Sequence, residues 1–399
     1  LLTTGHNISN ASTPGFNRQQ IVQSTNTPQF TGAGYFGQGT NVQTVQRIYN
    51  QFLASQTLSA QTRLSELNAY ADQIRQVDGL LADPSAGLST ALNDFFRGVH
   101  EVAANPASIP ARQSMLSMAQ ALVGRFQSVD GRLNEIRDGV DTQLASTVAD
   151  INSYTTQIAA LNQRIILAQA AGPGQPANDL LDQRDQLIAQ LNQQVRVTTL
   201  TESDGSLSVF VGNGQAVVVG AQSYGLATMQ SGEDASRMTV GITLASGGTA
   251  ALPEAMLTGG TLGGLLAFRR ESLDTAQNAL GRIALGLAET FNAQHRLGQD
   301  LTGALGGNFF TAPAPQVLTP NNPANPAPIT VPGTVSVAVG SASALTASDY
   351  RLTYNGGGNY TLLRLSDNTT LVNNAALPAT VDGLAISVAG EPGNGASFL

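Results

Sequence analysis

Apolar residues recur along this chain in distinct rhythms, and the changes of rhythm divide it into segments. The first residues, from Leu1 to Ile8, read like the last turns of a helix. From Asn7 to Tyr49 the chain is rich in Asn, Thr, Gly and Gln, with Thr13-Pro14-Gly15 as a turn signal and Ile21-Val22 as a short extended piece, which predicts an extended arm. Beyond Tyr49, Ala60, Leu64, Leu67, Ala71 and Ile74 alternate steps of four and three, the spacing of a coiled-coil seam. Asp83-Pro84-Ser85 breaks it, and a shorter amphipathic helix through Leu88, Leu92, Phe95, Phe96 and Val99 stops at Asn105-Pro106.

The longest periodic stretch is expected over roughly 112–171, with Leu122, Phe126, Val129, Leu133, Ile136 and Val140 on one face. Leu144, Val148 and Ile151 continue it in four-residue steps that relax any left-handed supercoil. At 1.5 Å per residue the helix would be roughly 90 Å long, which predicts an elongated particle. Gly172-Pro173-Gly174-Gln175-Pro176 closes it, and Asn178-Asp179 opens a further helix with the face Leu180, Arg184, Leu187, Leu191 and Val195. Hairpin signals at Ser203-Asp204-Gly205 and Asn213-Gly214 then mark a small antiparallel sheet. Gly259-Gly260 and Gly263-Gly264 lead into a last helix through Leu273, Ala276, Leu280, Ile283, Leu287 and Phe291. After a Pro-rich stretch, residues 334–399 alternate (Val335, Val337, Val339; Tyr350, Leu352, Tyr354) with Gly-rich turns and carry no helical signal.

The expected fold is therefore α+β: an elongated, multi-domain chain with a long-helix, coiled-coil-like bundle and antiparallel β domains. Its divisions are an N-terminal arm at 1–49, a helical rod domain at 50–195 and 262–300, a β section at 196–261, a linker at 301–333 and an incomplete all-β outer module at 334–399. Leu64, Leu67, Ile74, Leu122, Phe126, Val129, Leu133, Ile136, Leu280, Ile283 and Leu287 are the expected helical packing positions.

Composition narrows the function classes. The chain holds 42% hydrophobic but only 12% charged residues, so uncharged Asn and Gln are expected to supply its solubility. Its 19 basic residues are all Arg and are outnumbered by 27 acidic ones, for a net charge of -8, which disfavours nucleic acid as a partner. The most basic run is Arg269-Arg270, too little for an anionic membrane surface. Without Cys there is no thiolate chemistry and no zinc-thiolate site. No basic leader precedes an apolar run, and both ends read as cuts in a longer chain.

The candidate chemistry is thin. His100-Glu101 opens like a zinc-protease motif, but Ala104 stands where the second His belongs, so a surface His is expected. Gly32-Ala33-Gly34-Tyr35-Phe36-Gly37 matches a dinucleotide loop without the strand and helix that such a loop needs, and reads as a turn. Four glycosylation sequons, at Asn7, Asn10, Asn359 and Asn368, are the chance yield of an amide-rich chain. No catalytic, cofactor or metal residues are assigned.

Residues 7–19, Asn-Ile-Ser-Asn-Ala-Ser-Thr-Pro-Gly-Phe-Asn-Arg-Gln, resemble the N-terminal signature of rod, hook and hook-associated axial proteins of the bacterial flagellum. Val45-Gln46-Arg47-Ile48-Tyr49-Asn50-Gln51-Phe52-Leu53, the run from Asn178 to Leu187, the run from Gly259 to Arg270 and Phe291-Asn292-Ala293-Gln294-His295 are similar to the first hook-associated protein, the FlgK family. The resemblance covers residues 1 to about 310 and marks Asn7, Asn10, Thr13, Pro14, Gly15, Phe16, Arg18 and Gln19 as an assembly motif. Phe16 stands where the family often has Tyr. The resemblance implies a non-catalytic structural subunit that packs laterally and axially with itself, between the hook protein and the next hook-associated protein. It also implies an extracellular place in the flagellum, export through the type III apparatus without a cleavable signal, and an export chaperone that binds a C-terminal region outside this sequence. The isolated 399-residue piece is expected to be a monomer. A hook or rod paralogue, which would turn to β structure soon after Gly15, and a surface adhesin are the alternatives.

Overall fold

The computed structural model describes residues 1–81, 87–172, 174–232, 234, 236–244, 247–318 and 334–399. The expected breaks at Asp83-Pro84-Ser85 and Pro173, and most of the Pro-rich stretch, lie outside them. In chain order the elements are α1 (Leu2–Ser9), β1 (Gln19–Thr25), β2 (Gln29–Phe30), β3 (Tyr35–Phe36), β4 (Thr40–Arg47), α2 (Gln51–Leu81), α3 (Leu88–Ala104), α4 (Ile109–Ala171) and α5 (Asn178–Gln194). There follow β5 (Val197–Thr201), β6 (Leu207–Val211), β7 (Gln215–Val219), β8 (Gln222–Ser223), β9 (Leu226–Gln230), β10 (Met238–Thr243), β11 (Thr249–Ala251), α6 (Gly260–Phe268) and α7 (Asp274–His295). The last group is β12 (Thr334–Val339), β13 (Tyr350–Gly356), β14 (Asn359–Arg364), β15 (Thr369–Ala376), β16 (Ala379–Val381), β17 (Leu384–Ala389) and β18 (Ser397–Phe398). Long helices and antiparallel sheets make the fold α+β.

The chain divides into two compact units. The first comprises residues 1–71, 142–229 and 239–266. Here α1 lies where the last turns of a helix are expected, and the arm that follows is more structured than expected: it is a long hairpin in which β1 pairs antiparallel with β4, from Gln19 opposite Arg47 to Thr25 opposite Thr40. The Gly32–Gly37 motif lies at its tip, where Thr31 N donates to Gly34 O and β2 and β3 form a two-residue ladder. Asn50 caps α2 by accepting from Leu53 N.

The α2 seam is corrected by the structure. Leu64 and Leu67 are 59% and 54% exposed, while Thr62 is buried. The buried face of this part of α2 is the one carrying Thr62, Glu66 and Ala69, because α6 approaches there through glycine: a Cβ on Gly264 would lie 2.3 Å from Glu66 O and 2.9 Å from Ala69 Cβ. Small groups allow the two backbones to close, and leucine would hold them apart.

The C-terminal half of α4 buries Leu144, Val148, Ile151, Ile158 and Ile165, and α5 buries Ile188 and Leu191, with Val195 buried just beyond its end. The four-stranded sheet β5-β6-β7-β8 buries Leu207, Val209, Val211, Val217 and Val218. A three-stranded sheet has the order β11-β10-β9. Asparagine joins helices to sheets. Asn162, fully buried on α4, donates to Leu207 O (2.8 Å) and Gly220 O (2.6 Å) and accepts from Leu207 N and Arg184 Nη1. Asn152 exchanges two bonds of 2.8 Å with the Leu226 backbone. Part of the amide content is thus structural and not a solubilising coat.

The second unit comprises residues 72–141, 230–238 and 267–399. α4 starts at Ile109, with Ser108 Oγ accepting from Ala111 N and Pro110 in the first turn, where a missing N–H costs nothing. Leu122, Val129, Leu133 and Val140 are buried, and Phe126 and Ile136 are half-buried. Ile74 on α2 is half-buried too. A π-helical turn at Arg269–Leu273 joins α6 to α7. Arg269, expected as half of a basic run, is 1% exposed, its Nη1 donating to Asp141 Oδ1 (3.0 Å) and Met238 O (2.7 Å).

On α7, Leu280 and Leu287 are half-buried, whereas Ile283 is 45% exposed. A 3.6-residue helix carries the seam from Leu280 to Ala284, which is half-buried, and turns Ile283 outward. Phe95, fully buried, meets Phe291 and Phe310 at ring distances of 5.2 and 5.6 Å. Residues 334–399 form two sheets, β12-β17-β16 and β15-β14-β13-β18, around Leu352, Tyr354, Tyr360, Leu362, Ile386 and Phe398. A single 3-10 turn at Ala342–Ala344 is the one departure there from pure β structure among the described residues.

Candidate assembly site at the base of the N-terminal arm

The residues of the 7–19 motif are spent on folding the arm's base and fastening it to α5. Asn7 on α1 mimics a strand: its Nδ2 donates to Gln19 O (2.8 Å) and its Oδ1 accepts from Gln19 N (2.9 Å). Asn10 closes α1 by returning its N–H and Nδ2 to His6 O. Thr13 Oγ1 donates to Asn10 Oδ1, and Phe16 N donates to Thr13 O across a turn. Pro14 and Gly15 are its central residues, Gly15 having φ +80°, as a type II turn requires. A Cβ on Gly15 would stand 2.7 Å from Gln186 Oε1 on α5, so the position needs glycine for space as well as for conformation. Phe16 lies edge-on to His6 at 5.4 Å. Arg18 keeps its side chain exposed and accepts from Ile48 N with its carbonyl.

α5 meets this base with three aspartates at i, i+3 and i+6, which share one helix face. Asp179 accepts from buried Gln19 Nε2 (2.7 Å) and lies 3.3 Å from His6 Nε2. Asn10 Nδ2 lies 3.4 Å from His6 Nδ1, and Gln19 Nε2 lies 3.4 Å from His6 Nε2, so both ring nitrogens sit among polar groups of the motif. Asp182, 6% exposed, accepts from Asn17 N (2.9 Å), Asn17 Nδ2 (2.8 Å) and Arg47 Nη1 (2.9 Å). Arg47 Nη1 also reaches Asp185 Oδ2 at 2.6 Å, and its guanidinium lies 4.5 Å from the Tyr49 ring centre. Burial works against the Arg47 charge, but Asp185 and Asp182 outweigh it and raise its pKa. Behind this face, burial lowers the pKa of Arg184. Asn178 Nδ2 and Gln175 Nε2 donate to Val45 O and Gln43 O along β4. Under the turn is a cavity of about 590 Å³, lined in part by His6, Pro14, Phe16, Leu161, Arg164 and Gln186.

The structure thus brings Asn7, Asn10, Thr13, Gly15, Phe16 and Gln19 together. Sequence reasoning missed their counterparts Arg47, Asp179, Asp182, Asp185 and Gln186. The readable signal was the spacing of three aspartates by three on a predicted helix, with one Arg ending a neutral strand. Beyond this base the hairpin is neutral: no residue from Gln19 to Gln46 is charged, and Phe30, Tyr35 and Phe36 are 62%, 77% and 56% exposed. His100 is exposed on α3. Among the described residues no group of three His, Cys, Asp or Glu could hold a metal, and no helix is long and apolar enough to cross a membrane.

Comparison with known proteins agrees with this architecture. The family described as flagellar hook-associated protein FlgK helical domain matches residues 74–310, and the flagellar hook-associated protein 1 D2-like domain matches residues 324–399. The chain is 34% identical to flagellar hook-associated protein 1 of Escherichia coli K12 over the whole chain and 72% of that protein. It is 35% identical to the Salmonella typhimurium protein of the same name, again over the whole chain, spanning 71% of that relative. The flagellar hook junction protein FlgK from Burkholderia pseudomallei has a solved structure that superposes with a TM-score of 0.77 at 39% identity, covering 86% of this chain and 61% of that one. The chain belongs to the flagellar hook-associated protein 1 (FlgK) family, a structural component of the bacterial flagellum.

Proposed function

We infer that this chain joins hook to filament as a non-catalytic subunit, packing laterally and axially against further copies of itself. The observation that carries this is the arm: its base is fastened to α5 through Asp182 and Arg47, and its tip is a neutral hairpin with three exposed aromatics. Interface cores are depleted in charge and enriched in aromatic residues, so such a tip suits a neighbouring protein surface. Its partners are then the hook protein on one side and the next hook-associated protein on the other. Residues 1–49 form the arm, 50–195 and 262–300 the helical domain, 196–261 a β section, 301–333 a linker and 334–399 an outer module. The same reading has the protein exported through the flagellar type III apparatus with the help of a dedicated chaperone. Deleting the gene from its host and imaging the cells by electron microscopy tests this. Hooks without filaments, restored by the full-length gene, are expected; normal filaments in the deletion strain would refute the junction role.

A further inference from the structure

The arm is built in two parts that meet at one irregular residue. In the lower part its strands pair without interruption from Gln19 opposite Arg47 to Val22 opposite Thr44. The next pair is Gln23 opposite Val42, so Gln43 is an extra residue in β4, a β-bulge. Among the described residues, the bonds that fasten the arm to α5 and to the loop before it lie at or below this residue. Asp179 holds Gln19, Asp182 holds Asn17 and Arg47, and Asp185 holds Arg47 as well. Asn178 Nδ2 donates to Val45 O (2.7 Å), and the outermost bond, from Gln175 Nε2 (3.0 Å), ends on the carbonyl of Gln43 itself.

Above the bulge, the bonds of the described residues stay within the hairpin. Ser24 Oγ donates to Asn41 Oδ1 (2.6 Å), Asn26 N to Gly39 O (3.0 Å), Asn26 Nδ2 to Gln38 O (2.8 Å) and Gln38 Nε2 to Gln29 Oε1 (3.1 Å). No residue from 23 to 42 is buried. This half therefore holds its own shape but has no third strand and no helix beneath it to fix its direction. The bulge is where direction is cheapest to change, because the ladder is already interrupted there and a bend breaks no pair. The Thr44 hydroxyl beside it is buried without a hydrogen-bond partner among the described residues and adds no bond that would stiffen it. At about 3.3 Å per residue the ribbon from Gln23 to Phe30 reaches about 23 Å, so a swing of about 15° at the bulge carries the aromatic tip by about 6 Å.

We propose that the arm is a lever with a fixed base and a tip-bearing half, residues 23–42, that swings at the Gln43 bulge and so offers its aromatic tip over a range of angles. The use of such a swing in assembly rests on the self-packing inferred above, but the swing itself does not. The test measures distance distributions by pulsed electron spin resonance on the full-length protein in dilute solution, with any Cys beyond residue 399 replaced by Ser and nitroxides on introduced pairs of Cys. Gln163→Cys on α4 gives an exposed fixed point, Gln20→Cys reports the base and Tyr35→Cys the tip. The 35–163 distribution should be at least about twofold broader than the 20–163 one. The pair Gln23→Cys and Tyr35→Cys, both above the bulge, should be as narrow as 20–163. Equal widths for base and tip would overturn the pivot, and a broad 23–35 distribution would overturn it by placing the bending along the whole ribbon. As a second measurement, deleting Gln43 makes the ladder continuous and should narrow 35–163 to the width of 20–163; a tip that keeps its breadth while the 20–163 distance is unchanged would again overturn the pivot. If the deletion shifts the 20–163 distance, it has disturbed the base, and the 23–35 pair in the parent decides alone.

Discussion

A single carboxamide, Asn162, ties α4 to both the neighbouring sheet and α5 in the first unit. It sits fully buried on α4 and uses its amide on four partners: two carbonyls of the β5-β6-β7-β8 sheet region, the Leu207 amide and the Arg184 guanidinium. Removing it leaves those groups dry and unpaired, which costs more than the bonds themselves contribute. Asn162→Ala should therefore destabilise the protein by about 3 kcal/mol, measured as a shift of the first urea transition. A loss below about 1 kcal/mol would mean that water enters and replaces the amide. This role was not legible in the sequence. An Asn on a surface and an Asn bridging helix to sheet are the same letter, and in an amide-rich chain nothing singles one out. The apolar residues differ: Leu122, Val129 and Leu133 could be placed inside from spacing alone, because their burial follows from helical period.

At the scale of elements the helices were legible and their faces only partly so. A heptad-like stripe marked Leu64 and Leu67 for packing, yet the opposite face of α2 won because Gly264 lets α6 approach its backbone. Period reports that a helix has an apolar stripe, but closest approach is decided by the small residues on both partners. Gly264→Val should lose about 2 kcal/mol or more and speed amide exchange in α2 around Glu66, since neither backbone can yield. Unchanged exchange there would show that the helices part without cost.

A second element-scale prediction concerns the second unit, where Arg237 faces Asp234, Asp274 and Asp349 at 3.1, 2.8 and 3.9 Å. Burial raises the Asp274 pKa; Arg237 opposes that rise and Asp349 adds to it. Asp234 goes the other way: burial opposes its charge, but hydrogen bonds from Ser236 hold its pKa down. Between the ordinary carboxylate value and the raised pKa of Asp274, the folded protein binds more protons than the unfolded one, so this group's contribution falls as pH rises. Asp234 contributes above the ordinary value and is lost as pH falls through its own lowered pKa. Asp274→Asn should accordingly gain on the parent in melting temperature between about pH 4.5 and about pH 7.5. The opposite trend would mean that Arg237, and not burial, governs Asp274.

For the whole molecule, composition states the problem that assembly has to solve. Copies of a chain with net charge -8 repel one another, and few basic residues are available to offset that across an interface. The surface offered here for contact, the arm tip, is neutral and carries exposed aromatics, so attraction between copies through it owes little to ion pairs. Salt should then act mainly on the repulsion. Raising ionic strength from about 0.05 M to about 0.5 M shortens the screening length from over 10 Å to about 4 Å, which relieves charge repulsion and leaves apolar contact intact. Self-association of the full-length protein, followed by sedimentation, should hold or tighten over that range. Weakening by about tenfold or more would show that charged pairs hold the copies together. That would shift the search from the neutral tip to the acidic and Arg-bearing helix faces.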